Sequence, residues 1–230
     1  MSFRFESEML APVERWLKGQ GLRTKREFAN PWGLCDVVGC SLRVDKVRER
    51  LSLGQRRPIG PPFRIQVLNQ IPDQVTKRSI SIGQLASHFS CFVRTEEIDC
   101  EVEKLVADKF VTVTAKGRLQ RVNGWMPLHD RIVAVELKIS RIEEVISQAT
   151  ANLQLTNFSY IALPTAVARR LIVNGSIGRV QKIGIGLLSV SKSRCEQLIA
   201  PRSTSDSINK EAQLHCVERF WRDALKDSSS

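Results

Sequence analysis

The segment Arg131-Ile-Val-Ala-Val-Glu-Leu-Lys-Ile139 decides the fold of this chain. Its apolar and β-branched residues are typical of a β-strand that is buried on both faces. Side chains two residues apart on a strand point to the same face, so Glu136 and Lys138 share a face with Ala134. Charged side chains are rarely buried unless they are paired or bind a metal. The segment therefore predicts a core strand that presents an acid and a base side by side.

The composition of the chain is that of a soluble globular protein. With 230 residues, 42% of them hydrophobic and 26% charged, the chain is long enough for one large domain or two small ones. Its six cysteines form no CxxC pair, which indicates reduced thiols in a cytoplasmic protein and not a zinc site. The first residues lack the apolar core of a signal peptide, and no run of about 18 apolar residues predicts a membrane span.

The net charge of +11 favours polyanionic partners, with nucleic acid first and an anionic membrane second. A basic soluble surface without a polyanionic partner is the plain alternative. The chain has no basic amphipathic helix with exposed aromatic residues, which argues against the membrane. The charge thus points to nucleic acid but does not decide between DNA and RNA.

Hydrophobic periodicity divides most of the chain into alternating helices and strands. Asp36 is the only charged residue in its apolar strand, an odd choice unless the carboxylate has a partner. Without residues 43–130, the order of elements is that of an α/β fold. The predicted helices cover residues 6–19, 141–156, 165–173 and 210–225, and the predicted strands cover residues 22–28, 34–42, 131–139, 159–163 and 183–190.

Residues 43–130 have a different character. A basic stretch from Arg43 leads to the Pro- and Gly-rich residues 56–62, a linker signal that places a domain boundary near residue 60. Residues 63–123 then read as three helices and a β-hairpin, which resembles a winged helix-turn-helix. The third predicted helix, residues 95–109, carries six acids in and around it and would be repelled by phosphate. A structural or dimer-forming module is therefore favoured over groove reading by this helix.

The outer part of the chain resembles the PD-(D/E)XK nuclease superfamily, the restriction-endonuclease-like fold, and within it a bacterial branch. The match covers residues 6–42 and 130–190, and Glu136-Leu-Lys138 is the only D/E-x-K triplet in the chain. Cys35 stands where a proline often precedes the aspartate, and Asn152 replaces a basic or aromatic residue. The matching positions are Glu8, Gly21-Leu22, Cys35-Asp36-Val-Val38, Val135-Glu-Leu-Lys138, Gln148-Ala149, Tyr160-Ile-Ala-Leu-Pro164 and Gly184-Ile-Gly-Leu-Leu188.

The resemblance implies a domain organisation. Residues 1–42 and 126–200 would form a discontinuous α/β core, a mixed sheet flanked by helices. Residues 60–125 would form an inserted winged-helix-like α+β module, which accounts for the 100 positions between Asp36 and Glu136. Residues 201–230 would supply a linker and a C-terminal helix.

The resemblance also implies a metal site. Asp36, Glu136 and Glu8 would hold Mg²⁺ or Mn²⁺, with Glu6 and then Glu27 as alternatives to Glu8. The Asp36 and Glu136 carboxylates would then lie about 4 to 6 Å apart, since each ligand is about 2 Å from one ion.

The catalytic residues would be Asp36, Glu136, Lys138 and Gln148. Lys138 would orient the nucleophile, offset negative charge or, with its pKa lowered near the metal, act as a base. Gln148 would contact phosphate or the water around the metal. The plain alternatives are a cross-strand ion pair for Glu136 and Lys138, an exposed helix acid for Glu8 and a surface amide for Gln148.

The sequence therefore favours an enzyme, a Mg²⁺-dependent DNA endonuclease. The alternative is a catalytically inactive DNA-binding or regulatory protein that keeps the nuclease fold. A homodimer stays open, because cutting both strands needs two sites. The residues predicted to contact nucleic acid are Arg56, Arg57, Lys116, Arg118, Arg121, Arg169 and Arg170.

Overall fold

A computed structural model describes residues 3–31, 33–89, 93–175, 177–203 and 208–227. Cys91, predicted to be a reduced thiol, and residues 204–207 of the predicted linker lie outside the described residues. The chain divides into two compact units. Unit 1 comprises Met1–Ser41 and Asp130–Gln213, and unit 2 comprises Leu42–His129 and Leu214–Ser230.

The described elements follow one another as helices and strands along the chain. Two short 3-10 turns cover Glu6–Met9 and Gln74–Thr76. The strands are β1 (Arg23–Asn30), β2 (Gly33–Leu42), β3 (Val111–Val113), β4 (Leu119–Arg121), β5 (His129–Leu137), β6 (Phe158–Pro164), β7 (Gly186–Val190) and β8 (Cys195–Ile199). The helices are α1 (Leu10–Gly19), α2 (Val44–Ser52), α3 (Pro62–Gln70), α4 (Ile82–Ala86), α5 (Thr95–Ala107), α6 (Ile142–Asn152), α7 (Thr165–Val173), α8 (Gly178–Ile183) and α9 (Lys210–Asp227).

Unit 1 is built on a mixed six-stranded sheet in the order β1-β2-β5-β6-β7-β8. β1 and β2 are antiparallel, β5, β6 and β7 are parallel, and β8 runs antiparallel to β7. The predicted α/β class with a mixed sheet flanked by helices is confirmed. The sequence reading missed the short helix α8 and strand β8, because the five residues of β8 show no regular alternation of apolar and polar side chains.

Helices cover both faces of this sheet. On one face, Val13 and Leu17 of α1, with Met9 of the preceding 3-10 turn, pack with Val133 and Val135 of β5 in one buried cluster. On the other face, side chains of α6, α7 and α8 form a second cluster with strands β6 and β7. A helix buries its apolar stripe in this way when every third or fourth residue is apolar.

Strand β5 is buried on both faces, as its sequence predicts. Val133, Val135 and Leu137 belong to the cluster on the α1 side. Glu136 alternates with them, so it points to the face that α6 covers. Only 2% of Glu136 is exposed. A carboxylate therefore lies within the core of unit 1, next to the end of the strand.

Unit 2 contains the helices α2 to α5 and the β3–β4 hairpin. The three helices and hairpin predicted over residues 63–123 are all present. A bridge between Ile80 and Leu119 adds a further short pairing to the hairpin. Ser81 caps α4: its hydroxyl accepts from the backbone N–H of Gln84, and Oε1 of Gln84 accepts from the backbone N–H of Ser81, which completes a capping box.

The core of unit 2 surrounds a buried arginine, Arg50 of α2, which the sequence reading had placed in a basic stretch without a helix. Its guanidinium lies 4.0 Å from the ring of Trp221, 4.6 Å from that of Trp125 and 5.1 Å from that of Phe110. Its Nη1 and Nη2 donate to the two carboxylate oxygens of Glu218, at 2.5 and 2.9 Å. Because Trp221 and Glu218 belong to α9, the last helix is part of the core of unit 2.

No helix in the described parts of the chain is both long enough and apolar enough to cross a membrane. Among the residues that the structure describes, Cys35, Cys40, Cys100, Cys195 and Cys216 form no disulfide bond.

Candidate functional site

Asp36 and Glu136 meet at the centre of unit 1. They belong to β2 and β5, which are neighbours in the sheet. Oδ2 of Asp36 accepts a hydrogen bond of 2.7 Å from the backbone N–H of Leu137. The two carboxyl groups are also close enough to influence each other's pKa. The sheet therefore brings two acids that are 100 positions apart in sequence into one cluster.

The environment of this pair opposes full ionisation. Burial, together with the nearby charge of Asp36, raises the pKa of Glu136 from 4.5 to about 7. Asn152 opposes the shift, because its Nδ2 donates a 2.6 Å hydrogen bond to Oε1 of Glu136. Burial likewise raises the pKa of Asp36. Two adjacent carboxyl groups, one buried and one partly buried, hold protons more tightly than isolated ones, and a cation between them would remove that preference.

Lys138 lies just beyond the end of β5, where its backbone N–H donates to the carbonyl oxygen of Ala162 at 3.2 Å. Its Nζ is 3.2 Å from Oε2 of Glu6 and 3.4 Å from Oε1 of Glu144. Desolvation lowers the pKa of Lys138, but the contacts with Glu6 and Glu144 outweigh it, so the pKa is raised. Lys138 is thus an ammonium group here, which suits the offsetting of negative charge and not the role of a base.

The N-terminal acid that reaches the cluster is Glu6. Glu8, the residue taken over from the family resemblance, is exposed, and its Oε2 accepts from the backbone N–H of Arg4 at 3.1 Å. Glu6 lies two residues earlier on the same 3-10 turn and contacts Lys138 instead. Glu27 is an exposed residue of β1 with a positive φ of 46°. Of the three candidate acids, the described contacts therefore connect Glu6 with the ExK residues.

One face of α6 supplies the polar wall of the site. Glu144, Gln148 and Asn152 are spaced by four residues, so they lie on the same side of the helix. Glu144 contacts Lys138, and Asn152 contacts Glu136. Between them, Oε1 of Gln148 is buried and has no hydrogen-bond partner among the described residues. An unsatisfied buried acceptor on this face calls for a donor such as water or a ligand.

Sequence reasoning missed Glu144 and gave Asn152 no role. Glu144 looks like an ordinary helix acid, and Asn152 departs from the family pattern. The available signal was the four-residue spacing of Glu144, Gln148 and Asn152, which puts three polar side chains in one row beside the apolar stripe of α6.

The donor set is compatible with a hard cation. Among the described residues, no three of His, Cys, Asp or Glu form a ready-made metal group. Mg²⁺ is nevertheless usually held by one or two carboxylates and keeps several waters. Asp36 and Glu136 provide two carboxylates, and the free Oε1 of Gln148 can accept from a water. The residues present therefore fit a largely hydrated Mg²⁺ or Mn²⁺ and do not fit a metal that needs a complete protein cage.

The arginines and lysine predicted to contact nucleic acid differ in how freely their charges are presented. Arg169 and Arg170 of α7 in unit 1 are exposed, as are Arg56, Arg57 and Lys116 in unit 2. Arg118 and Arg121 are only partly exposed, because both make contacts within unit 2. Arg121 lies 3.7 Å from Oδ2 of Asp73. Its charge is therefore already balanced within the protein.

Comparisons with known proteins do not identify this chain. It matches no protein-family model and no curated protein. Among solved structures, it is similar to the SPO1766 protein of Silicibacter pomeroyi, a protein of unknown function. The identity is 11%, the alignment covers 100% of this chain and 97% of that one, and the TM-score is 0.42. A likeness of this size carries no argument about fold or function.

Proposed function

We propose that the protein is a Mg²⁺-dependent phosphodiesterase, an endonuclease of the PD-(D/E)XK type that acts on DNA. The order of elements in unit 1 supports a restriction-endonuclease-like core. Helix α1 precedes β1, β2 and β5, which are neighbours in the sheet, and α6 leads from β5 to the parallel strand β6. The net charge of +11 supports a nucleic-acid partner.

The observation that carries the proposal is the proximity of the carboxyl groups of Asp36 and Glu136. Both lie on neighbouring strands of one sheet, and Lys138 follows Glu136 by two residues. Burying two carboxyl groups together is costly unless they serve a purpose that needs both. Binding a divalent cation is such a purpose, because the cation neutralises both charges and is itself held by hard oxygen atoms.

Each residue of the site has a defined task in this proposal. A bound divalent ion supplies Lewis-acid chemistry to a phosphodiester group and its attacking water. Asp36 and Glu136 hold that ion, while Asn152 orients the Glu136 carboxylate through its 2.6 Å hydrogen bond. Lys138, as an ammonium, stabilises negative charge on the phosphate oxygens. The free Oε1 of Gln148 accepts a hydrogen bond from a water and so helps to position it.

A second candidate function is DNA binding without cleavage. It is favoured by the two carboxylates, Glu6 and Glu144, that already surround Nζ of Lys138. A lysine that keeps both partners has little positive charge left to offer to a phosphate. In an active enzyme, the incoming phosphate has to replace at least one of these carboxylates.

We further propose that residues 62–122 of unit 2 form a winged-helix-like module. The three helices α3, α4 and α5, the β3–β4 hairpin and the Ile80–Leu119 bridge support this interpretation. Helix α5 has acids in its first turn and further along its length, so it is a poor candidate for the major groove.

A nuclease assay on supercoiled and linear DNA with Mg²⁺ or Mn²⁺ tests the proposed function. The expected result is metal-dependent cleavage by the native protein and a loss of at least about 100-fold in Asp36→Asn and Lys138→Ala, the size typical of lost charge stabilisation. Lys192→Ala removes an exposed lysine of the same unit and should keep full activity. If the native protein binds DNA but does not cut it under any of these conditions, binding without cleavage is the better description.

A further inference from the structure

The described residues of unit 2 line an acidic cleft and a basic cleft. One is lined by α5 and its surroundings and contains the carboxylates of Glu96, Glu97 and Glu101. The other is shallow and open, and its lining residues include no acid. The lining of this basic cleft consists of Pro72, Arg78, Ser79, Ile80, Gln84, Ser87, His88 and Arg118. The module therefore offers a polyanion one repulsive surface and one attractive surface.

Arg118 is fixed in the basic cleft without losing its charge. Its Nε donates to Oγ of Ser79 at 2.9 Å, and its Nη2 donates to the Ser79 carbonyl at 2.7 Å and to Oε1 of Gln84 at 3.0 Å. All three acceptors are neutral. These contacts hold the guanidinium in place from the protein side but leave its positive charge uncompensated. An arginine prepared in this way is suited to a phosphate group.

Other arginines of unit 2 are neutralised by acids. Arg64 contacts Glu101, Arg94 contacts Glu97, and Arg121 lies near Asp73. By contrast, neither Arg78 nor Arg118 pairs with a carboxylate in the described part of the chain. Arg78 is exposed at the edge of the same cleft, next to the exposed Lys77. Arg78, Arg118 and the neighbouring Lys77 thus place uncompensated positive charge at this cleft.

We propose that the cleft lined by Arg78, His88 and Arg118 binds the phosphate backbone of nucleic acid. The hydroxyls of Ser79 and Ser87 and the imidazole of His88 add hydrogen-bonding groups beside the two guanidiniums. Phosphate contacts of this kind position a duplex without reading its sequence. The module then docks DNA through the turn before α4 and the base of the hairpin, and not through α5. This inference rests on the proposed nucleic-acid partner but not on metal-dependent cleavage.

Binding of a labelled 20-base-pair duplex, measured by fluorescence anisotropy in EDTA, tests the inference. Arg78→Glu should weaken binding about tenfold and reduce the slope of log K against log salt by about 1, the loss of one phosphate contact. Arg94→Glu is the matched control, because it changes the net charge equally but lies in the acidic cleft. It should change the affinity less than about twofold. A random-sequence duplex and a single strand of equal length show whether the backbone alone is recognised.

The outcomes are distinct. Equal weakening by Arg78→Glu and Arg94→Glu means that only the net charge matters, and the cleft is not a site. No weakening by Arg78→Glu, or no binding by the native protein at low salt, also overturns the inference. If Asp36→Asn loses cleavage in Mg²⁺ while Arg78→Glu keeps both cleavage and affinity, the proposed nuclease function stands and the proposed phosphate-binding cleft is wrong. If Arg78→Glu weakens binding but the native protein does not cleave DNA in Mg²⁺, the phosphate-binding cleft stands and the proposed nuclease function is wrong.

Discussion

Nδ2 of Asn152 donates a 2.6 Å hydrogen bond to Oε1 of Glu136, and both residues are almost completely buried. Asn152 occupies the position where the family pattern often has a basic or aromatic residue. An amide at this place keeps the Glu136 carboxylate oriented without adding a charge to the core. It also lowers the pKa of Glu136, which burial and Asp36 raise.

Replacing Asn152 by leucine removes the donor but keeps the side-chain size. The pKa of Glu136 should then rise above its native value, because burial acts without the opposing hydrogen bond. The free energy of unfolding should fall by about 1–3 kcal/mol, the usual result of leaving a buried acceptor unsatisfied. Carboxyl carbon shifts followed by NMR during a pH titration report the pKa. Gln154→Leu, at an exposed position shortly after α6, should change neither quantity.

The raised pKa of Glu136 makes the stability of the metal-free protein depend on pH. Between the ordinary pKa of 4.5 and the native value of about 7, the folded state binds more protons than the unfolded state. The stabilisation is therefore fully present below pH 4.5 and is lost as the pH rises through about 7. Glu136→Gln has no carboxyl group to titrate at this position. The decrease in its free energy of unfolding over this pH range should therefore be smaller than in the native protein by about 3 kcal/mol, at about 1.4 kcal/mol per pH unit.

Urea unfolding in EDTA at a series of pH values from 4.5 to 8 measures this difference. Glu96→Gln, an exposed acid of unit 2, should keep the native pH dependence. If Glu136→Gln has the same slope as the native protein across this window, the carboxyl group is not protonated in the folded state.

Mg²⁺ should stabilise the folded protein, because it binds the Asp36–Glu136 pair and not the unfolded chain. At a Mg²⁺ concentration of 100 times Kd, the expected gain is about 2.7 kcal/mol. The gain should disappear in Asp36→Asn and Glu136→Gln, and should persist in Glu8→Gln, whose carboxylate caps the backbone of Arg4. Thermal unfolding at pH 8, with and without Mg²⁺, gives the answer independently of any activity. An equal shift in the native protein and in Asp36→Asn would place the ion elsewhere.

The pKa of Lys138 should identify the acid that reaches the site. Glu6 and Glu144 both raise this pKa, so Glu6→Gln and Glu144→Gln should each lower it. Glu8→Gln should leave it unchanged, since no described contact joins Glu8 to Lys138. The amine nitrogen shift of Lys138 in an NMR titration between pH 8 and pH 12 is the measurement. A shift in Glu8→Gln as large as that in Glu6→Gln contradicts the described register of the 3-10 turn.

The buried pair of Arg50 and Glu218 should be sensitive to the loss of its acid. Arg50 is completely buried, so Glu218→Gln leaves its guanidinium without a counter-charge inside the core of unit 2. The expected destabilisation is about 3–5 kcal/mol. Glu97→Gln breaks an exposed pair with Arg94 and should cost less than about 1 kcal/mol. Tryptophan fluorescence during urea unfolding is a suitable probe, because Trp125 and Trp221 surround Arg50.

The sequence predicts the sheet of unit 1 well because its strands have strong local signals. β5 is an almost continuous apolar run, and Asp36 is the one charge in β2, so both strands and their acids could be found without a structure. Local periodicity says nothing of the side chains that arrive from other elements. Glu144 and Asn152 reach the site because α6 packs back across β5, and this packing is a tertiary contact that a local sequence pattern does not show.

In the sequence, only the family resemblance favours Glu8 over Glu6. The two residues are separated by two positions on a 3-10 turn, where a change of one position turns a side chain by about a third of a turn. Helix α2 was missed for a different reason. Its nine residues are mostly charged or polar, and the pairing that anchors it in the core, between Arg50 and Glu218, joins residues 168 positions apart.

That separation decides which pieces of the chain can be studied alone. A fragment of residues 60–125, the natural choice from composition, would carry Phe110 and Trp125 but neither Arg50 nor α9. The two rings would then lose the guanidinium that packs on them, and their apolar faces would be left open to water. Such a fragment should be prone to aggregation. Dissection of unit 2 therefore requires residues 42–129 joined to 214–227 by a short artificial connection.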